Sequence, residues 1–317
     1  MNNERTQIVV YGIGGVGGYF GGLIARSINS GPAGTEQVNF IARGEHLKQI
    51  QDKGLLVKLG SGEEFRAFPN TASDDPTPLP IIDVLFLCVK AYDLDEALDK
   101  MRDKIFPHTL IIPLMNGVDI RDRIIRKLDR GIVMPTCVYV SSRVSAPGEI
   151  TQIGPEGTIL TGNRKGTRDV YPESILKLAL ACGLNLRWSD DPEFDIWNKY
   201  LFIASFALVT AAYKLSIGEV LVDSEARSDV EGLMGEIVAL GKLRDIEFPE
   251  DVIPATLEKA ATFPAETRTS FQQDVEAGKA HTEIDIFGGT LIKMGCESAK
   301  EMVFLKKILD RLGNVPS

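Results

Sequence analysis

The clearest chemical signal lies near the N-terminus, where Gly12-Ile13-Gly14-Gly15-Val16-Gly17 fits the pattern GxGxxG. Each glycine has a physical reason. Gly12 permits a tight turn, Gly14 lets backbone approach a pyrophosphate, and Gly17 allows a helix to pack closely on the preceding strand. The N-terminus of that helix then offers N–H groups to phosphate oxygens. The pattern carries weight only between a strand and a helix. Apolar residues 7–11 before it and the helical stretch 18–28 after it provide that setting. The loop, residues 12–17, is therefore expected to hold a dinucleotide, and a ligand-free glycine turn is the alternative.

Further candidates stand at the ends of later strands. After Asn39-Phe40-Ile41-Ala42 comes Arg43, where an NAD-binding chain usually carries Asp or Glu on the ribose hydroxyls. A guanidinium there favours a 2′-phosphate, so NADPH is expected, with Lys48 as a second cation. The bland reading of Arg43 is a solvated loop residue. Lys90 in Cys88-Val89-Lys90-Ala91-Tyr92 and Asn116 in Leu114-Met115-Asn116-Gly117 close two more apolar runs. Polar groups at the carboxyl ends of parallel strands can face a nicotinamide and its substrate. Ordinary turn chemistry explains both equally well at this point, since Asn-Gly is a common turn.

These residues need a scaffold. Strands at 7–11, 37–42, 84–89 and 110–114 alternate with helices at 18–28 and 45–53 and with helix-compatible segments after the last two strands. The first helix breaks at 29–34. Such alternation implies a parallel sheet covered on both faces, an α/β fold of Rossmann type. Residues 131–186 turn β-leaning and are expected to add strands to the same domain. Asp190-Asp191-Pro192 marks a boundary, giving a dinucleotide-binding domain at 1–190 and an all-helical domain at 191–317. In the second domain Lys199 opens the apolar run 200–213, which is shorter than the ~20 residues a membrane span needs and reads as a buried helix.

Composition narrows the function classes. A chain of 317 residues accommodates two domains, and its net charge of −9 argues against a nucleic-acid surface. Four dispersed cysteines, Cys88, Cys137, Cys182 and Cys296, suit a reducing compartment rather than a disulfide framework or a zinc site. His46, His108 and His281 form no ligand-spaced cluster. The N-terminal Met1-Asn2-Asn3-Glu4-Arg5 has no signal-peptide character, so a cytoplasmic protein acting on a small molecule is expected. The sequence leaves room for a homodimer.

Together these pieces resemble the ketopantoate reductase (2-dehydropantoate 2-reductase) family. The markers are the glycine loop, Val89-Lys90-Ala91, Asn116-Gly117, Trp197-Asn198-Lys199, Ser270, the run Gln273-Asp274-Val275-Glu276-Ala277-Gly278, and Thr282-Glu283-Ile284-Asp285. The resemblance implies a Rossmann domain, a helical domain, a cleft between them, and NADPH-dependent reduction of 2-dehydropantoate to (R)-pantoate in pantothenate biosynthesis. Carried over by motif, Lys199 is the catalytic acid and Glu283 its acidic partner. Asn116 and Ser270 touch substrate, while Gly12, Gly14, Gly17, Arg43 and Lys90 hold the cofactor. Hydride arriving at a ketone carbon leaves charge on oxygen, and a partly buried lysine is a suitable proton donor.

The chain departs from the family pattern in two places. Ile203 and Ala207 stand where the family usually carries asparagines that bind pantoate oxygens, and the stretch from Asp274 to Glu283 is one residue longer than usual. The first departure keeps open a reductase of the same fold acting on another 2-keto acid or ketone. Hydroxyacid dehydrogenases of related architecture would need an anion-binding pattern after Lys199 that is not seen. A non-catalytic NADPH sensor would need neither Lys199 nor Glu283.

Overall fold

The computed structural model describes residues 6–30, 36–167, 170, 172–313 and 315. The expected helix break at 29–34 and the N-terminal residues 1–5 fall partly or wholly outside them. The chain divides into two compact units, residues 1–116 with 120–192, and residues 117–119 with 193–317.

The first unit opens with β1 (Thr6–Tyr11), α1 (Gly15–Ser30), β2 (Glu36–Ile41) and α2 (Gly44–Lys53). Three short strands follow, β3 (Leu55–Lys58), β4 (Glu64–Ala67) and β5 (Thr71–Ser73). Next come β6 (Val84–Leu87), α3 (Leu94–Met101), β7 (Leu110–Pro113), α4 (Ile120–Lys127) and β8 (Ile132–Val133). The six-stranded sheet has the order β5-β2-β1-β6-β7-β8, and its pairs are parallel. Its central strands are continuous apolar runs, as burial on both faces demands. The chain winds outward from β1 in one direction and resumes on its other side at β6. The carboxyl ends of β1 and β6 thus form a topological switch point, the place where open α/β sheets bind ligands.

The expectation for 131–186 needs correction. Only β8 extends the parallel sheet. The long strands β9 (Thr136–Ala146) and β10 (Glu149–Thr161) instead build a second, five-stranded sheet with β3, β4 and β11 (Leu186–Trp188). The segment also contains a helix, α5 (Pro172–Ala181). The short strands β3 and β4 escaped sequence reading because four-residue strands carry little periodicity. A Cβ on Gly18 would stand 2.6 Å from Ile150 of β10, and one on Gly22 would stand 2.6 Å from Val57 of β3. A Cβ on Gly21 would meet Phe40 of β2 at 3.1 Å. Helix α1 therefore lies between the two sheets, with residues 17–25 buried throughout, and the Tyr19 hydroxyl accepts from Gly157 N of β10 at 3.0 Å.

The described residues of the second unit contain helices and no strand. They are α6 (Pro192–Tyr213), α7 (Ile217–Val222), α8 (Ser224–Lys242), α9 (Val252–Ala261), α10 (Ser270–Glu276), α11 (Thr290–Glu297) and α12 (Val303–Leu312). Residues 204–212 of α6 are all buried, which explains their largely apolar character, and the buried Thr210 hydroxyl donates to the Phe206 carbonyl one turn back at 2.6 Å. Helix α8 grips its neighbours through carboxylates. Asp229 accepts from the Tyr213 hydroxyl at 2.6 Å and from Lys307 Nζ at 2.8 Å. The buried Glu236 accepts from the N–H groups of Phe304 and Leu305 at 2.8 and 3.0 Å, capping α12. No helix among the described residues is long and apolar enough to cross a membrane.

Candidate active site

The glycine loop is built as the first unit's topology requires. Gly12 N and Ile13 N donate to the Ile41 carbonyl at 2.9 and 3.2 Å, and Cys88 N donates to the Tyr11 carbonyl at 2.8 Å. Gly12 has φ +94°, and a Cβ on Gly17 would lie 2.1 Å from the Gly12 carbonyl oxygen. These two glycines are thus demanded by the protein itself. Gly14 differs, because a Cβ there would meet nothing within 4 Å and its φ is not positive. The space beside its backbone is an open cradle.

That space belongs to a groove of about 300 Å³ at the switch point. Gly12, Ile13, Gly14, Arg43 and Lys90 line it, whereas Gly15, Val16 and Gly17 form the first turn of α1 behind it. The N–H groups of a helix's first turn have no intrahelical acceptor and favour anions. Lys48 is exposed on α2 and does not line the groove; Lys100 of α3 does. The groove also holds Tyr11, His46, Asp93 and Glu96, which sequence reading passed over. Their signal was available in hindsight, since His46 and Asp93 each lie three residues beyond a strand-end cation.

The electrostatics of the groove are paired rather than uniformly positive. Arg43 Nη2 lies 2.7 Å from Asp93 Oδ2, and Lys100 Nζ lies 2.6 Å from Glu96 Oε1. The hydrogen bond to Asp93 strengthens the hold of Arg43 on its proton. Burial pushes the Tyr11 phenol up, against the pull of Lys100 and Arg43. His46 Nδ1 accepts from Gly148 N at 2.9 Å, tying α2 to the β9–β10 turn, and burial lowers its pKa. Asn116, half-buried, ends the first of the first unit's two stretches just after β7, followed by Gly117 at φ +121°.

In the second unit Lys199 does not open its helix, as the sequence suggested. Helix α6 begins at Pro192, so Lys199 lies in its third turn, half-buried between the buried Trp197 and Tyr200. The Tyr200 hydroxyl donates to the Ile286 carbonyl at 2.7 Å. This bond holds the Lys199 turn against the segment that begins at Glu283. Glu283 is 6% exposed, and its carbonyl accepts from Ile286 N and Phe287 N. A π-helical turn, Asp285–Gly289, follows directly. Such turns absorb one extra residue and often re-aim side chains at functional sites. Ser270 is exposed at the start of α10, where Thr269 caps the helix and shares a 3.0 Å hydrogen bond with Thr210 of α6. Ile203 is half-buried and Ala207 buried.

A parallel sheet with a glycine-loop groove at its switch point, joined to a helical unit, defines the class of dinucleotide-binding oxidoreductases. A family model described as ketopantoate reductase PanE/ApbA matches residues 8–166, and its C-terminal counterpart matches 193–315. The chain belongs to the ketopantoate reductase family. It is 27% identical to the uncharacterized oxidoreductase YkpB of Bacillus subtilis, covering 96% of this chain and 95% of that one. It is also 27% identical to the 2-dehydropantoate 2-reductase of Mesorhizobium japonicum over 91% of each chain. The crystal structure of 2-dehydropantoate 2-reductase from Porphyromonas gingivalis superposes with a TM-score of 0.81 at 28% identity, covering 98% and 99% of the two chains. D-mandelate dehydrogenase with NADH and anilino(oxo)acetate shares the fold, with a TM-score of 0.82, 20% identity and 97% coverage of each chain. The family places the chain among oxidoreductases that act on CH–OH groups of small molecules with a nicotinamide dinucleotide.

Proposed function

We propose that this chain reduces 2-dehydropantoate to (R)-pantoate with NADPH, in the cytoplasm, as a step of pantothenate biosynthesis. The observation that carries the reading is the convergence in the second unit. Tyr200, the neighbour of Lys199, is hydrogen-bonded to Ile286, three residues after Glu283. Residues 12–17, Arg43, Lys90 and Asn116 hold the cofactor, and the open space beside Gly14 suits a pyrophosphate. The cofactor, when bound, supplies hydride. Lys199 gives its proton to the ketone oxygen and stabilises the charge that gathers there. Glu283 keeps Lys199 oriented and protonated, while Asn116 and Ser270 fix the substrate's polar groups.

A second reading, a reductase of a less polar 2-keto acid, is favoured by Ile203 and Ala207, which offer no side-chain donor. A panel of 2-keto acids assayed with NADPH and NADH separates the two. The first reading expects higher kcat/KM for 2-dehydropantoate than for ketoisovalerate, which lacks the 4-hydroxyl. Clear preference for ketoisovalerate or another unhydroxylated acid would establish the second.

A further inference from the structure

The structure assigns to Asp93 a role in cofactor choice: we propose that it limits how strongly the groove prefers a 2′-phosphorylated dinucleotide. The inference rests on the reading of Arg43 as the 2′-phosphate contact. Arg43 follows β2 and Asp93 follows β6, and these strands flank β1 on either side. Their 2.7 Å ion pair therefore spans the carboxyl end of β1, above Tyr11 and the start of the glycine loop. Arg43 is the more exposed partner, with 61% of its side chain accessible against 27% for Asp93. The guanidinium thus meets solvent already paired on one side, leaving its remaining donors for a ligand.

The surroundings do not offset that carboxylate. Groove-lining cations Arg43, Lys90 and Lys100 face an equal set of anions, Asp74, Asp93 and Glu96, and Lys100 is engaged by Glu96. A phosphate on Arg43 brings nearly two negative charges close to the Asp93 carboxylate. A ribose hydroxyl brings none and can donate to that carboxylate. Asp93 therefore weakens NADPH and spares or assists NADH, although it also holds Arg43 in place. Charge repulsion at this range in a solvated groove corresponds to roughly fivefold to tenfold in affinity.

The test is calorimetric titration of the full-length protein with NADPH, NADH, 2′,5′-ADP and ADP. Asp93→Asn and Asp93→Ala should raise the NADPH-to-NADH affinity ratio about fivefold to tenfold, and the 2′,5′-ADP-to-ADP ratio alike. Asp93→Glu should stay near the parent ratio. Combining Arg43→Ala with Asp93→Asn should lose most of the gain, because without the guanidinium the phosphate no longer docks beside the carboxylate. An unchanged ratio in Asp93→Asn, with Arg43→Ala collapsing it, overturns the role of Asp93 while leaving Arg43 as the phosphate contact. A lowered ratio in Asp93→Asn overturns it as well, making the carboxylate an aid to phosphate binding. If Arg43→Ala itself leaves the ratio unchanged, the reading of Arg43 fails first.

Discussion

Two glycines three residues apart in the same loop should respond to one methyl group in opposite ways. At Gly17 the added Cβ would sit 2.1 Å from the Gly12 carbonyl oxygen and 2.8 Å from Cys88 Cβ. Relief requires α1 to move about 1 Å from β1, and overpacking of this kind costs about 2–3 kcal/mol. For a unit of this size that lowers Tm by roughly 4–12 °C. At Gly14 nothing lies within 4 Å of the new methyl and φ is not positive. Gly14→Ala should therefore leave folding unchanged or stabilise it by about 0.4–1 kcal/mol through the unfolded chain. Its penalty should fall on the ligand. A methyl that holds a phosphate away from one charge-assisted N–H contact costs about 1.5–3 kcal/mol, or roughly tenfold to a hundredfold in Kd. Thermal unfolding without ligand and titration with NADPH, followed by nicotinamide fluorescence, read the two effects separately. Gly14→Ala protein that binds NADPH within twofold of the parent would refute the cradle, and a Tm loss equal to that of Gly17→Ala would refute the empty space.

Three further outcomes are expected. Lys199→Ala should lower kcat by roughly 10²–10⁴ while retaining NADPH affinity, with stopped-flow reduction and equilibrium titration as the readouts. Glu236→Ala should destabilise the second unit by about 2–3 kcal/mol in urea unfolding, because Phe304 and Leu305 N–H lose their acceptor; Glu236→Gln should cost less. His46 titrates below its ordinary 6.5 in the folded chain because it is buried. The unfolded chain therefore binds the proton first, so stability is lost as pH falls below about 6.5 towards the folded pKa. His46→Asn, which keeps an acceptor for Gly148 N, should flatten that slope in unfolding experiments run from pH 7.5 to 5.

Much of the first unit was legible because its features are local. Buried parallel strands read as unbroken apolar runs, and the glycine loop, Arg43 and Lys90 follow from strand ends. What stayed hidden depends on contacts distant in sequence. Strands β3 and β4 become a sheet only by pairing with each other and with β10, across more than ninety residues in the case of Lys58 and Thr151. Asp93 looks like a helix-start acid until Arg43 is beside it. Lys199 was set at a helix start because the apolar run begins at Tyr200, yet the helix needs only Pro192 and a polar first turn to begin earlier. The π-helical turn after Glu283 left no compositional trace, since it is a change of hydrogen-bond register rather than of residue type.

The position of α1 between two sheets gives the nucleotide loop an inheritance from residues that never approach the groove. Ile150 and Val57 are sized against the bare faces of Gly18 and Gly22, so bulkier side chains on β10 or β3 would press on α1 from behind. That helix cannot yield towards the parallel sheet, where Gly17 is already in contact with Gly12 and Gly21 with Phe40. A mutation such as Ile150→Phe would therefore register as a misplaced glycine loop. Laboratory evolution for altered cofactor use can find handles on the second sheet, far from any residue that reads the cofactor.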